Sequence, residues 1–119
     1  MRGINKVFIL GNLGHNPELK KTANGVSYVD LSIATNRPVR RQDEWEELVD
    51  WHHIRTWEQT AELCIRMLEK GCTVAVEGQL RTDNWLDTHG GKRSRTYVQA
   101  SRLHFLSHLK GSPTKEVLE

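Results

Sequence analysis

The stretch WHHIRTW, residues 51–57, constrains the fold of this chain more than any other segment. Its aromatic and β-branched residues favour a β-strand, in which successive side chains alternate between the two faces of a sheet. The odd-numbered positions then share one face: Trp51, His53, Arg55 and Trp57. A core rarely takes arginine and histidine between two tryptophans, whereas a surface that stacks nucleobases and neutralises phosphate combines these residues. The alternative is an ordinary amphipathic strand whose tryptophans pack beneath a loop.

Most of the remaining chain is predicted to form strands separated by Gly, Asn and Pro. The predicted strands are residues 5–11, 26–35, 51–57, 73–80 and 92–106, with residues 18–22 as a short polar candidate. Residues 60–70 instead carry apolar side chains at helical spacing, with Thr60 as a plausible N-cap and Gly71 as the terminator. Three strands, one helix and two strands is the order of an OB-fold. We therefore predict an all-β, five-stranded Greek-key barrel with one helix between strands three and four.

This barrel is expected to occupy residues 1–110 as one domain, and residues 111–119 are expected to be a short flexible C-terminal end. Residues 36–50 are polar and are expected to form a long hairpin loop, because Pro38 disfavours strand pairing. Trp45 lies in this segment and has no apparent periodic partner. Gly78 is expected to mark a bulge or bend in its strand.

Charge is separated along the chain, although the total of 17 Lys and Arg against 15 Asp and Glu gives a net charge of only +2. Residues 1–42 hold seven basic residues: Arg2, Lys6, Lys20, Lys21, Arg37, Arg40 and Arg41. Residues 43–50 hold five acids and no base. This separation allows a basic groove on a nearly neutral protein.

The two cysteines, Cys64 and Cys72, are too few for a disulfide framework and indicate a reducing compartment. Cys64 falls on the inner face of the helix, where we expect an inert apolar side chain. The N-terminus resembles neither a signal nor a transit peptide, and no apolar run could span a bilayer. We expect a cytoplasmic, nucleoid-associated protein without membrane contact.

Four tryptophans interleaved with basic residues indicate a nucleic-acid surface rather than a core. Trp85 lies near the tip of the last hairpin, close to Arg81 and to the cluster of Lys92, Arg93 and Arg95. His52 and His53 point to opposite faces of a strand, so they do not predict a metal site. The segment GNLG at residues 11–14 lacks the lysine and the helix of a phosphate loop. We expect no cofactor and no metal.

Several motifs recur in the order and spacing of a known family: NKVFILGNLG at residues 5–14, Pro17-Glu18, Asn24-Gly25, Ala34-Thr35, Trp51-His52, Lys70-Gly71 and EGQLRT at residues 77–82 with Trp85. The chain resembles the bacterial single-stranded DNA-binding protein (SSB) family. The resemblance implies an OB barrel that assembles as a homotetramer, a dimer of dimers, around which single-stranded DNA wraps. It implies stacking roles for Trp51, Trp57 and Trp85, and backbone contacts for Arg2, Lys6, Arg55 and Arg81.

The same resemblance implies subunit contacts. His52 occupies the position of an interface histidine, and the first strand, with Lys6, Phe8 and Leu10, would pair across a dimer axis. Its two apolar faces suit such a contact. The chain departs from the family in having Val39 where a loop tryptophan is usual, and Trp45 could substitute for it. The acidic partner-recruiting tip is also missing, so we expect no recruitment of replication or repair proteins through the C-terminus.

We therefore expect a protein that is not an enzyme and that binds single-stranded DNA independently of sequence during replication, repair and recombination. Arg37, Arg40, Arg41, Lys92 and Arg93 join the expected phosphate contacts because of their charge. One alternative is a primosome-type interaction module that retains the fold but mainly bridges proteins. The other is a small nuclease, which the missing carboxylate pair argues against.

Overall fold

The computed structural model describes residues 1–107, which form six strands and one helix. The strands are β1 (Val7–Leu13), β2 (Leu19–Lys21), β3 (Ser27–Arg41), β4 (Glu44–Trp57), β5 (Thr73–Leu86) and β6 (Lys92–Ser107), and the helix is α1 (Glu58–Met67). Residues 111–119, expected to be a flexible end, lie outside the described residues.

Five of the strands close into a barrel in the order β1-β5-β6-β4-β3, with β3 returning to β1. The pair β4–β6 is parallel, with Ile54 opposite Val98, and the other barrel pairs are antiparallel. The short strand β2 adds to the outer edge of β3. The helix lies between the third and fourth barrel strands, so the predicted OB-fold barrel is confirmed.

Alternation along the strands places the core inside the barrel. The fully buried residues of β3, β4 and β5 occupy every second position: Val29, Leu31, Ile33, Ile54, Thr56, Val74 and Val76. The helix adds Ala61 and Cys64, and Leu68 follows directly after it. Burial raises the pKa of the Cys64 thiol to about 11, which agrees with the expected inert side chain.

Two glycines allow the barrel strands to approach closely. A Cβ at Gly11 would lie 2.1 Å from the Ala34 carbonyl oxygen, where β1 meets β3. A Cβ at Gly78 would lie 2.2 Å from the Gln99 carbonyl oxygen, and the β5–β6 register shifts between Glu77 and Gly78. The predicted irregularity at Gly78 is therefore confirmed.

The prediction of a long loop over residues 36–50 is wrong. Strands β3 and β4 continue through this segment as a two-stranded ribbon, and they turn at Gln42 and Asp43, whose φ angles are +49° and +66°. Pro38 lies opposite Glu47 within the ribbon. A two-stranded ribbon has no third strand on either side, so a proline can point its missing donor outward without losing a pair.

The boundaries of the helix also differ from the prediction. It begins at Glu58 and ends at Met67, so Thr60 lies inside it rather than at its N-cap. The capping position is Trp57, which makes no side-chain capping hydrogen bond. Strand β4 therefore runs directly into the helix, and Glu58 adopts a φ of +53° at the junction. Within residues 1–107, no helix combines the length and the apolar character needed to cross a bilayer.

Candidate nucleic-acid interface

The outer face of β3 and β4 carries the aromatic and charged residues predicted for residues 51–57. Cross-strand pairing joins Tyr28 to Trp57, Asp30 to Arg55, Ser32 to His53, and Ala34 to Trp51. Ile54 and Thr56 are fully buried on the opposite face, whereas Trp51 is 60% exposed. The predicted division of this strand between a core face and an outer face is therefore confirmed.

Trp51 is exposed but held in place. Its indole ring packs against Gly14, where an added Cβ would lie 2.3 Å from the ring carbon Cζ3. The Gly14 amide in turn donates a hydrogen bond of 2.9 Å to the Ser32 carbonyl, which fixes the loop beneath the ring. Because the indole is held against backbone, its exposed part can receive a planar ligand with little loss of rotamer entropy.

Arg55 lies at the centre of an aromatic cluster rather than in open solvent. Its guanidinium carbon lies 4.5 Å from the ring centroid of Tyr28, 5.2 Å from that of Tyr97 and 5.8 Å from that of Trp57. Tyr28 and Trp57 also contact each other, with centroids 5.5 Å apart. The arginine therefore orders the rings by cation–π contact.

Asp30 neutralises this arginine. Arg55 Nε and Nη2 donate hydrogen bonds of 2.7 and 3.1 Å to the two carboxylate oxygens of Asp30. Burial raises the pKa of Asp30, but the hydrogen bonds and charges of Arg55 and His53 outweigh it, so that the pKa lies below the ordinary value. The hydrogen bond that Arg55 donates to Asp30 raises the pKa of Arg55 in turn. Arg55 thus presents little uncompensated charge, in contrast to the phosphate contact expected from sequence.

An open groove adjoins this cluster. It runs between the outer face of β3 and β4 and the segment that leads into β2, and its lining residues are His15, Asn16, Glu18, Lys20, Asp30, Ser32, His53 and Arg95. Arg95 on β6 reaches His53, with 3.0 Å between Nη2 and Nε2. His15 reaches Ser32, with 3.3 Å between Nε2 and Oγ. The sequence grouped Arg95 with the basic residues around Trp85, but it did not place His15 or Lys20 in the site, because only the barrel topology brings β2 beside β3 and β6 beside β4.

The β5–β6 hairpin extends beyond the barrel and carries Trp85. Cross-strand pairing puts Trp85 opposite Arg93, Asp83 opposite Arg95, and Arg81 opposite Tyr97. All six residues occupy odd-numbered positions of their strands, so their side chains share one face of the hairpin. Tyr97 links that face to Arg55. Trp85 is 47% exposed, as its predicted stacking role requires.

The other basic residues of the hairpin are arranged differently. Lys92 pairs with Leu86 on the opposite face. Arg93 lies 3.0 Å from Asp87, measured from Nε to Oδ2. Backbone amides of Gly91 and His89, followed by Arg93, hold the pKa of Asp87 below its ordinary value. Arg93 is therefore partly neutralised, whereas Lys92 is exposed near the tip.

The ribbon formed by residues 36–50 pairs its arginines with its own acids. Arg37 Nε lies 2.8 Å from Asp50, Arg40 Nη2 lies 3.4 Å from Asp43, and Arg41 Nε lies 3.9 Å from Glu46. Arg37 and Arg41 occupy odd positions of β3, on the opposite face from Trp51. The structure therefore does not bring these two arginines together with the tryptophans.

Trp45 belongs to the outer face after all. It lies six residues before Trp51 on the same strand, as Trp51 lies six residues before Trp57, so the three rings share one face. Trp45 is 67% exposed, and Arg40 directly opposite lies 5.9 Å from its ring centroid. All three tryptophans have odd numbers, which places them on one face of a continuous strand. The prediction of a loop over residues 36–50 prevented this inference for Trp45.

The residues predicted at subunit contacts lie on a separate surface. Phe8 is 73% exposed and Leu10 is 59% exposed, on the side of β1 that faces away from the core. Lys6 and Glu77 line the same groove at the edge of this patch, and the hydrogen bond with His104, more than the charge of Lys6, lowers the pKa of Glu77. Arg2 is exposed in the segment before β1.

His52 is half-buried on the inner face of β4. Its Nε2 lies 2.8 Å from Thr35 Oγ1, and Thr35 lines a shallow groove together with Leu10. His53 points to the opposite face, as predicted. Among residues 1–107, no three His, Cys, Asp or Glu side chains converge in a way that could hold a metal ion.

Comparisons with known proteins agree with this architecture. The model of the "Single-strand binding protein family" matches residues 4–106. The chain is 36% identical over 107 residues to "Single-stranded DNA-binding protein 1" of Chlorobaculum tepidum, an alignment that covers 88% of the chain and 66% of that relative. It also resembles the solved structure described as "Plasmodium falciparum SSB complex with ssDNA", with a TM-score of 0.76 and 29% identity over 90% of the chain and 98% of the other.

The family match extends from the segment before β1 to one residue short of the end of β6, and so spans the whole barrel and the helix. The alignment spans slightly less than two thirds of the bacterial relative's own length. The family model and the bacterial relative confirm the resemblance noted in the motifs. The chain belongs to the single-strand binding protein family.

Proposed function

We propose that this protein binds single-stranded DNA without sequence preference and without chemistry. The observation that carries this proposal is the Trp51 ring, which is mostly exposed yet fixed against the Gly14 backbone on the outer face of the barrel. A flat surface held in this way stacks on any base, because every base has a π face. The solved relative that resembles this chain was determined with single-stranded DNA, which supports the same reading.

The three tryptophans of β4 define the direction of the strand on this surface. Successive rings are six residues apart, which corresponds to about 20 Å along an extended strand. A single strand following β4 would meet Trp57, Trp51 and Trp45 in turn, and Trp85 would receive bases on the neighbouring hairpin. Each stacking contact contributes about 1–3 kcal/mol.

Arg55 acts as a positioning residue in this proposal. Its guanidinium holds Trp57 beside Tyr28 and Tyr97, and Asp30 takes up its charge. Phosphate neutralisation falls instead to exposed cations around the groove and the hairpin: Lys20, Arg81, Lys92, Arg93 and Arg95. Arg2 and Lys6 contribute where the DNA continues past β1, and Arg37, Arg40 and Arg41 contribute by exchanging a carboxylate for a phosphate.

The protein is proposed to act as a homotetramer, a dimer of dimers. Phe8 and Leu10 expose a large apolar patch, and β1 could hide it in a symmetric contact with a second copy. His52 and Lys6 lie at the borders of that surface. The cellular role that fits is protection of single strands during replication, repair and recombination, in the cytoplasm and at the nucleoid.

A direct test compares labelled oligo(dT) with a duplex of equal length by fluorescence anisotropy. We expect saturable binding of the single strand that weakens with salt, because phosphate contacts release counterions, and much weaker binding of the duplex. An interaction module predicts no saturable binding of either. Incubation with Mg²⁺ followed by sizing of the oligonucleotide tests the nuclease alternative, and we expect it to remain intact.

A further inference from the structure

One nitrogen atom in the groove faces two partners with opposite hydrogen-bonding requirements. Nε2 of His53 lies 3.0 Å from Nη2 of Arg95 and 3.4 Å from Oδ1 of Asp30. A guanidinium only donates hydrogen bonds, so the contact with Arg95 requires an unprotonated Nε2. A carboxylate only accepts, so the contact with Asp30 is attractive when Nε2 carries the proton. His53 can satisfy one partner at a time.

The protein without DNA favours the contact with Arg95. Asp30 already accepts two hydrogen bonds from Arg55, at 2.7 and 3.1 Å, and so has less need of a third donor. Arg95 is exposed, and its distance to Nε2 of His53 is shorter than that of Asp30. When Nε2 of His53 carries no proton, it accepts a hydrogen bond from Arg95 and holds that guanidinium at the wall of the groove.

The charges around His53 are balanced. The charged and titratable groups that face it from β3, β4, β5, β6 and the far wall of the groove are Asp30, Arg55, Asp83, Arg95, Tyr97, His15, Glu18 and Lys20. Three of these carry a positive charge at neutral pH and three are carboxylates. A phosphate that enters the groove therefore adds negative charge to a balanced site and favours a protonated imidazole.

We propose that His53 and Arg95 form a phosphodiester-binding subsite in which DNA binding is coupled to proton uptake by His53. When a phosphate accepts hydrogen bonds from Arg95, Nε2 of His53 loses its donor. Because the phosphate adds negative charge, it favours the imidazolium: Nδ1 keeps its proton, Nε2 takes up a second one from solvent, and Nε2 donates to Asp30 or to the phosphate itself. This subsite rests on the proposed function and adds a pH dependence to it: affinity for single strands rises as pH falls through the range in which imidazole titrates.

The test measures affinity for oligo(dT) between about pH 8 and about pH 5.5 at fixed salt. If binding takes up one proton, the affinity should rise by up to about tenfold for each unit by which the pH falls. Calorimetry in two buffers of different ionisation enthalpy counts the protons directly. His53→Gln retains an acceptor for Arg95 but cannot titrate, so we expect it to bind with a flatter pH profile and to take up fewer protons.

Two further variants sharpen the test. Arg95→Gln should weaken binding at every pH and also flatten the profile, because His53 is then free to pair with Asp30 before DNA arrives. His104→Gln is the matched control: His104 also faces a carboxylate, with Nε2 2.8 Å from Glu77, but lies away from the groove. We expect it to keep the pH profile of the unmodified chain.

The outcomes separate the subsite from the proposed function. A His53→Gln variant with an unchanged pH profile and unchanged proton uptake overturns the subsite, as does pH-independent binding by the unmodified chain. Failure to bind oligo(dT) at any pH overturns the proposed function instead.

Discussion

The indole of Trp51 shows how a single residue is prepared for binding. It is mostly exposed, so it contributes little to the core, and it rests on Gly14, so it is already oriented. Trp51→Ala should therefore weaken oligo(dT) binding by about 1–3 kcal/mol and leave the melting temperature nearly unchanged. Trp51→Phe keeps a flat ring and should lose less. Equal affinities for all three proteins in a titration would contradict a stacking role.

The Asp30–Arg55 pair predicts a dependence of stability on pH. The pKa of Asp30 is lower in the folded chain than in the unfolded chain, so the pair contributes stability that is complete above the unfolded value of about 3.9. This contribution is lost as pH falls through the lower, folded pKa. Because lysine cannot form the bidentate contact, Arg55→Lys should lower the free energy of unfolding at neutral pH by about 1–3 kcal/mol.

Urea denaturation at neutral and at acid pH measures this effect. The difference between Arg55→Lys and the unmodified chain should shrink in acid, where Asp30 is protonated in both. Arg66→Lys, an exposed change on α1, is the matched control and should alter stability little at either pH. A constant difference across pH would show that Arg55 acts through packing alone.

At the scale of elements, local patterns were predictable from sequence and distant partners were not. Alternation over residues 51–57 correctly separated Trp51 from Ile54, and Gly78 correctly marked an irregular strand pair. The partner of Arg55 lies 25 residues away, and the ribbon depends on pairs such as Arg37 with Asp50, 13 residues apart. A polar segment with Pro38 and five acids is typical of a loop. The sequence does not show that arginines on the paired strand neutralise these acids.

The ribbon itself yields a prediction about salt. Arg37 and Arg41 form ion pairs with Asp50 and Glu46, so we expect these arginines to contact DNA only after they release a carboxylate. The double change Glu46→Gln and Asp50→Asn should raise affinity for oligo(dT) at low salt. Each arginine that gains a phosphate should steepen the dependence of log K on log salt by about 0.7.

Measurement of affinity at several salt concentrations provides the slope. Glu58→Gln with Glu62→Gln on α1 removes the same charge at a distance from the ribbon and should leave the slope unchanged. An equal gain in both double variants would assign the effect to net charge rather than to the released arginines.

At the scale of the whole molecule, the barrel exposes two surfaces of different chemistry. The aromatic face of β4 suits DNA, and the patch of Phe8 and Leu10 suits a second copy of the chain. Phe8→Ser with Leu10→Ser should reduce the mass measured by light scattering at micromolar concentration and leave the barrel folded, because both side chains lie outside the core. Leu86→Ser on the hairpin is the control. A monomeric mass for the unmodified chain would contradict the proposed assembly.

The central claim is that single-stranded DNA binds by stacking on the outer aromatic face. Tryptophan fluorescence titrated with oligo(dT) at two salt concentrations tests it most directly, since the proposed ligand contacts the reporting side chains. The account predicts saturable quenching, weaker affinity at the higher salt, and loss of most of both in a Trp51→Ala and Trp85→Ala double variant. Emission that does not change on addition of oligo(dT), or a double variant that binds as tightly as the unmodified chain, would contradict it.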